Sequence, residues 1–273
     1  MRISTELLGV TSVITGAAGL LGSEHAIALL SLGSTVALWD VDEDLLFKAA
    51  DELKIQFPES KIVAQVVNIT QEPEVRVALV KLLDQKLSPG ILVNNAAVNH
   101  KPSQLKDSES RAENYDLELW KSEIDVGLTG TFICSKILGA YFLKHNKGTI
   151  INVSSDLSVI SPDNRVYEKQ NLSPMDQPMK PVSYSVIKTG IIGLTRYLAT
   201  SWATFNIRVN AISPGGVFDN QDPIFTSRVQ ERIPLGRMAT KYEYRAAIQF
   251  LATDDSSYMT GQNLIIDGGR SAW

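Results

Sequence analysis

One cysteine and three histidines in 273 residues leave little material for a disulfide framework or a zinc-type site. Cys134 lies in the apolar run GTFICSKILGAYF, where a buried structural thiol is a simpler reading than a nucleophile. His25, His100 and His145 lack metal-ligand spacing and have no Cys/His/acid cluster around them, so no metal is expected. Charge of one sign is missing too. The formal net charge is −4 with no block of like charges, which argues against a nucleic-acid footprint and a polybasic membrane patch. No segment reaches the ~18 uninterrupted apolar residues of a membrane span. The stretch MRISTELLGVTSVITG enters a strand and a glycine turn before any signal-like apolar core develops. The expectation is a cytoplasmic protein in a reducing compartment, with a metabolite-sized partner, no nucleic acid and no membrane.

What the chain does have is a rhythm. Its 44% hydrophobic residues suffice for a substantial core. Short β-rich runs recur: VTSVIT (10–15), STVALWD (34–40), KIVAQVVN (61–68), ILVNNAA (91–97), GTIINVSS (148–155), NIRVNAISPG (206–215) and NLIIDGG (263–269). Helix-period segments such as DEDLLFKAADELKIQF and PEVRVALVKLLDQKL separate them. Parallel strands need long crossovers that pack helices on the sheet, so this alternation predicts an α/β doubly wound Rossmann fold, one domain over 1–273. Residues 156 to 182, DLSVISPDNRVYEKQNLSPMDQPMKPV, break the rhythm with four prolines. Structureless segments of this length inside compact domains are usually functional or disordered.

The first strand runs into TGAAGLLG, from Thr15 to Gly22, and then into a helix. Gly16, Gly19 and Gly22, with Leu20 and Leu21 between them, allow a tight turn and a close approach of backbone to a pyrophosphate at a helix N-terminus. Three glycines alone are equally compatible with a plain strand–helix turn. Asp40, at the end of the second predicted strand, tips the balance, because a carboxylate there can accept hydrogen bonds from an adenosine ribose. The plainer role for Asp40 is a solvated strand end or a helix N-cap. Val41 and Asp42 follow it, and an acidic site would repel a 2′-phosphate, so NAD is expected over NADP.

In YSVIK, Tyr184 and Lys188 stand at i and i+4, on one face of a helix. A free phenol with pKa about 10 is a poor base at neutral pH. An ammonium beside it, and an oxidised nicotinamide, would favour phenolate and make Tyr184 a usable acid or base. Such pairs are common by chance; the specificity comes from company.

That company is TGAAGLLG, Asp40, Asn68 in VVNIT, NNAA at 94–97, NVSS at 152–155, YSVIK, RVNAISPGG and the terminal TGQNLIIDGG. Together these motifs, spanning almost the whole chain, resemble the short-chain dehydrogenase/reductase family, single-domain group. The resemblance implies that Tyr184 exchanges the hydroxyl proton, Lys188 holds the nicotinamide ribose and polarises the phenol, and Ser155 hydrogen-bonds the reacting oxygen. Ser155 is taken as the last residue of NVSS, with Ser154 as the alternative. It also implies that Asn68 and Ile69 lie near the adenine, Asn94, Asn95, Ala96 and Ala97 along the cofactor, and Pro214, Gly215 and Val217 around the nicotinamide. A homotetramer is the implied assembly, with a dimer second. Within the family, the stretch from SSDLSVISPDNRVYEKQ to SYSVIKTGIIGLTRYLAT resembles the flagellin-modification protein A subgroup, linked to surface-sugar biosynthesis.

The chain also departs from the family pattern. A glycine falls at Gly19, where the family places it at the position of Leu20. VGLTG puts Gly127 where an active-site asparagine is usual, so a proton relay through a side-chain amide is missing. The segment 156–182 is an insertion at the predicted active-site mouth, carrying Asp163, Arg165, Tyr167, Lys169 and Asp176. Arg165 with Lys169 could clamp a phosphate or carboxylate, and Asn99 with His100 could line the pocket beyond NNAAV. The expected substrate is a polar, sugar-like alcohol or ketone; a solvated insertion without ligand contact is the competing reading. Two rival functions share these motifs, a sugar-nucleotide dehydratase or epimerase holding NAD tightly and a non-catalytic NAD-binding protein.

Overall fold

Seven parallel strands form one sheet in the order β3-β2-β1-β4-β5-β6-β7. They are β1 (Thr11–Thr15), β2 (Thr35–Asp40), β3 (Ile62–Val66), β4 (Pro89–Asn94), β5 (Gly148–Val153), β6 (Ile207–Pro214) and β7 (Asn263–Ile266) in a computed structural model that describes residues 6–98 and 107–273. Each matches a β-rich run of the sequence. The strand order reverses between β1 and β4, which opens a crevice at the C-terminal ends of the strands. Asn99 and His100 lie outside the described residues.

Burial on both faces explains the composition of the central strands. TSVIT in β1 is buried at every position, as is GTIINV in β5. On one face, α1 (Gly22–Leu30), α2 (Glu43–Gln56) and α8 (Arg245–Ala252) supply Leu29, Leu46, Leu53, Ile248 and Leu251 to a cluster with Ile14, Val93 and Ile212. On the other, α3 (Glu72–Asp84), α5 (Thr131–His145) and α6 (Val182–Trp202) supply Leu82, Leu138, Phe142 and Leu198 against Val13, Leu92, Ile150 and Val209. Helix α2 begins where the side chain of Asp42 accepts from Leu45 N at 3.0 Å, so Asp42 is an N-cap.

Helix α4 (Leu117–Ile124) continues through a π-helical turn, Asp125–Gly130, into α5. The combined run Leu117–His145 is long and apolar enough to cross a membrane, but more than half of its most apolar stretch is buried inside the protein. Its apolarity is that of a core helix, since α5 packs on α3, β4 and β5. Asn146, in the left-handed region at φ 49°, ends α5.

The insertion has contacts of its own. Val166 is buried with Val229, Ile233 and Met238 in a satellite cluster beside α7 (Pro223–Gln230), and Tyr167 stacks on Phe225 with ring centroids 5.4 Å apart. On its other side, Met179 N donates to Ser110 Oγ at 2.8 Å and Arg111 donates to Pro174 O at 3.1 Å. Because this cluster is separate from the two main cores, loosening it is a local event. Phe225→Ala is expected to speed limited proteolysis within 156–182 while lowering global stability by about 1 kcal/mol, measured by denaturant titration.

Candidate active site

The nucleotide end of the crevice is built by two turns laced together. Thr15 Oγ1 accepts from the backbone N–H of Asn95 and of Ala96, each at 3.1 Å. Asn95 returns its side-chain amide to Thr15 O at 3.2 Å and Gly16 O at 2.8 Å. Gly16 sits at φ 60°, and a Cβ there would meet Ala96 Cα at 2.6 Å, so both conformation and space demand glycine. Gly22 is similarly excluded from carrying a side chain, its Cβ falling 2.7 Å from Ala17 Cα. Gly19 and Leu20 are exposed at the tip, with Leu21 half-buried behind them.

Asp40 reaches back over this turn. Its Oδ2 accepts from Ala18 N at 2.9 Å, while Oδ1 accepts from Val41 N at 2.8 Å and Asp42 N at 3.1 Å. Beyond β3, Asn68 Oδ1 accepts from Thr70 N and Oγ1, shaping the turn, and Ile69 is buried against Gly130. Asn94 is inward-facing, donating to Ser135 Oγ and Asn152 Oδ1, whereas Ala97 is exposed at the rim. Pro214 ends β6; Gly215, whose N–H donates to Ile266 O at 2.8 Å, and Val217 follow it on the same side of the sheet. A side-chain-free cradle at a helix start, with a carboxylate at the end of the next strand, fits a dinucleotide.

At the other end, Ser155 follows β5 and Tyr184 occupies the first turn of α6. The Ser155 side chain eases ionisation of the Tyr184 phenol. Lys188 is buried, donates from Nζ to Val153 O at 2.8 Å, and stands 5.8 Å from the centroid of the Tyr184 ring. Ser154 spends its hydroxyl on Lys188 O at 2.7 Å, and Ser155 is the serine that acts on the phenol.

The profile of the short chain dehydrogenase family matches residues 11–167, and that of the related enoyl-(acyl carrier protein) reductase family matches 174–271. The chain belongs to the short-chain dehydrogenase family. It is thus an oxidoreductase of a nicotinamide-dependent family acting on CH–OH and keto groups. It is 33% identical to the NAD-dependent glycerol dehydrogenase of Listeria innocua over 94% of this chain and 92% of that one. It is 30% identical to the 3-oxoacyl-[acyl-carrier-protein] reductase FabG of Thermotoga maritima, covering 96% and 98%. The fold matches a crystal structure of a candidate NAD(P)-dependent gluconate 5-dehydrogenase from Beutenbergia cavernae with bound NADP. There the TM-score is 0.83 and the identity 28%, over 99% of this chain and 100% of that one.

Burial dominates the electrostatics at the two ends of YSVIK. Burial pushes the Tyr184 phenol above its ordinary value, opposed by the Ser155 hydrogen bond and reinforced by the charge of Asp156. The protein's own groups therefore do not hold a phenolate. The Lys188 ammonium is itself lowered to about 8, by burial and then by the charge of Lys180. Arg165 is exposed and bound to Asp163 through two hydrogen bonds, at 2.8 and 2.7 Å, and Lys169 is exposed as well. The insertion brings a different cation to the phenol: Lys180 Nζ lies 3.9 Å from the centroid of the Tyr184 ring. Burial lowers Lys180 to about 8 against the opposing charges of Glu123 and Asp156.

Sequence reasoning missed Lys180, Glu123, Asp156 and Arg270. Glu123 is buried in α4 and accepts from Tyr115 Oη at 2.6 Å and from Ser183 Oγ. Lys180, in the residues just before YSVIK, was visible but outranked by Arg165 and Lys169. Gly127 sits in the π-turn, where a Cβ would fall 2.7 Å from Ile187 Cγ2, so a side chain there would require Ile187 to shift. A groove of about 570 Å³ between β3 and α3 includes none of the predicted site residues.

The depressed Lys188 carries a prediction of definite sign. Its folded pKa of about 8 lies below the ordinary 10.5, so between these values the unfolded chain binds more protons and stability rises with pH. Lys188→Met removes that contribution. The melting temperature of the variant minus that of the wild type should fall as pH is raised from about 8 to about 10, measured by differential scanning calorimetry.

Proposed function

We propose that the chain is an NAD(H)-dependent dehydrogenase interconverting a secondary alcohol and a ketone on a small, polar, sugar-like molecule. The observation that carries this reading is the convergence of Ser155, Tyr184 and Lys188 on the side of the sheet that also holds the glycine turn and Asp40. When bound, the nicotinamide dinucleotide would supply the hydride donor or acceptor. Gly16, Gly19, Leu20, Leu21 and Gly22 would line the pyrophosphate, Asp40 the adenosine ribose, and Asn68 and Ile69 the adenine. Asn95 to Ala97 with Pro214, Gly215 and Val217 would line the nicotinamide half and Lys188 its ribose, whereas Asn94, expected along the cofactor, is turned inward to Ser135 and Asn152. Tyr184 would give its proton to a carbonyl oxygen in reduction and take one from an alcohol in oxidation, while Ser155 aligns that oxygen.

The preference for NAD rests on Asp40 and the run Val41, Asp42, Glu43, Asp44, which places no cation where a 2′-phosphate would lie. The name of the Listeria relative supports NAD, whereas the Beutenbergia structure holds NADP. On the substrate side we assign Lys180 and Tyr167 from the insertion, with Arg165 and Lys169 on its exposed outer rim and Asn99 beyond β4. The polyhydroxy substrates named for the glycerol and gluconate dehydrogenases agree with a sugar-like molecule, and the flagellin-modification resemblance would place it in cytoplasmic surface-sugar synthesis. Exposed Phe132 on α5, with Val186 and Tyr197 on α6, supports a homotetramer through those helices.

A panel of polyols, sugar acids, phosphosugars and nucleotide sugars, read by NADH fluorescence, tests the reading. Tyr184→Phe should lower kcat by about 10²–10⁴-fold on the active alcohol while NADH still binds. Turnover untouched by this change, or no alcohol oxidised by the wild type, would overturn it. Asp40→Ala should shrink the preference for NAD over NADP by about tenfold in kcat/KM.

A further inference from the structure

The only hydroxyl hydrogen of Ser155 is directed at a carboxylate. Ser155 Oγ donates to Asp156 Oδ1 at 2.9 Å and accepts from Leu157 N at 3.2 Å. The other carboxylate oxygen, Asp156 Oδ2, accepts from Arg270 Nη1 at 2.8 Å. Both side chains are removed from water, with 4% of Asp156 and 12% of Arg270 exposed. An ion pair so enclosed is strongly coupled, because neither charge has much solvent to fall back on.

The two residues are 114 positions apart and meet because of the topology. Asp156 follows β5 and Arg270 follows β7, and these strands flank β6 in the sheet. The C-terminal tail is turned toward β5 by Gly268 and Gly269, at φ 68° and 89°. Asp267 fixes that turn, accepting from Gly269 N at 2.9 Å and Ser271 N at 2.7 Å.

We propose that Asp156 and Arg270 form a positioning pair for the reacting centre: the carboxylate orients the hydroxyl of Ser155, and the guanidinium of the C-terminal tail cancels that carboxylate's charge beside Tyr184. The pair deepens the dehydrogenase reading, on which its meaning for turnover rests. Groups from every neighbouring element face the phenol or act on it. They are Ser155 and Asp156 from the end of β5, Tyr167 and Lys180 from the insertion and Lys188 from α6; Arg270 of the tail acts through Asp156, and Glu123 of α4 through Lys180. Among these, Asp156 opposes a phenolate, and Arg270 is its direct partner. Without Arg270 the bare carboxylate would hold the serine hydrogen more tightly, withholding it from a substrate oxygen, and would make the phenol harder to ionise.

The test uses full-length protein labelled at tyrosine Cζ, with the Tyr184 resonance assigned by its loss in Tyr184→Phe and titrated by NMR without any substrate. Arg270→Gln should move the Tyr184 titration up by about one pH unit. Arg270→Lys should keep it near the wild type, and the double variant Asp156→Asn, Arg270→Gln should bring it back down. An unchanged titration in Arg270→Gln, or the same displacement in all three variants, would overturn the pair. Alongside, with glycerol and NAD as the probe reaction, Arg270→Gln should lower kcat about tenfold with KM within about twofold. Glycerol inactive with the wild type would count against the dehydrogenase reading on that probe, while the NMR titration still decides the pair. A melting curve for each variant separates a lost fold from a moved titration.

Discussion

Two hydrogen bonds between the end of β5 and helix α6 hold the reacting centre together. Lys188 Nζ donates to Val153 O, and Ser154 Oγ donates to Lys188 O. One residue of the helix is therefore gripped at both its ammonium and its carbonyl by consecutive residues of the strand end. Tyr184, one turn earlier, and Ser155, one residue later, are placed relative to each other by this grip. The lysine consequently has a structural duty in addition to any electrostatic one. Its charge is accepted in the interior because a backbone carbonyl receives it, at the expense of a depressed pKa.

Around that grip, the site is a contest between burial and charge. Desolvation raises the phenol and lowers both lysines, so proximity of an ammonium is not enough to make a base. Lys180 over the ring and Arg270 against Asp156 add positive charge from two parts of the chain outside the central sheet, the insertion and the C-terminal tail. Those two parts are also joined to each other: Arg232 donates both to Asp163 of the insertion and to Arg228 O, and its own carbonyl accepts from Trp273 Nε1. The insertion is thus packed and bonded on two sides.

The seven strands and the sheet type were legible because buried parallel strands read as β-branched runs and their crossovers as helix-period segments. The positions of the glycine turn, Asp40, Ser155, Tyr184 and Lys188 in the fold were legible because each is tied to a strand end or a helix turn by short spacing. The Asp156–Arg270 pair was not, since its partners are linked only through the order of β5, β6 and β7. Lys180 was passed over for a different reason. Arg165 and Lys169 form a more conspicuous basic pair, but a nearby carboxylate, Asp163, already engages the arginine, and local ion pairing is invisible to a count of charges. The burial of the phenol was not legible, because burial depth cannot be read from an i, i+4 spacing.

The contact of Gly127 with Ile187 has a consequence for how protons travel. A Cβ at 127 would meet the side chain of Ile187, the residue immediately before Lys188. That flank of the lysine is hydrocarbon, and hydrocarbon conducts no protons. Position 127 therefore contributes no group that could carry a proton to or from the lysine.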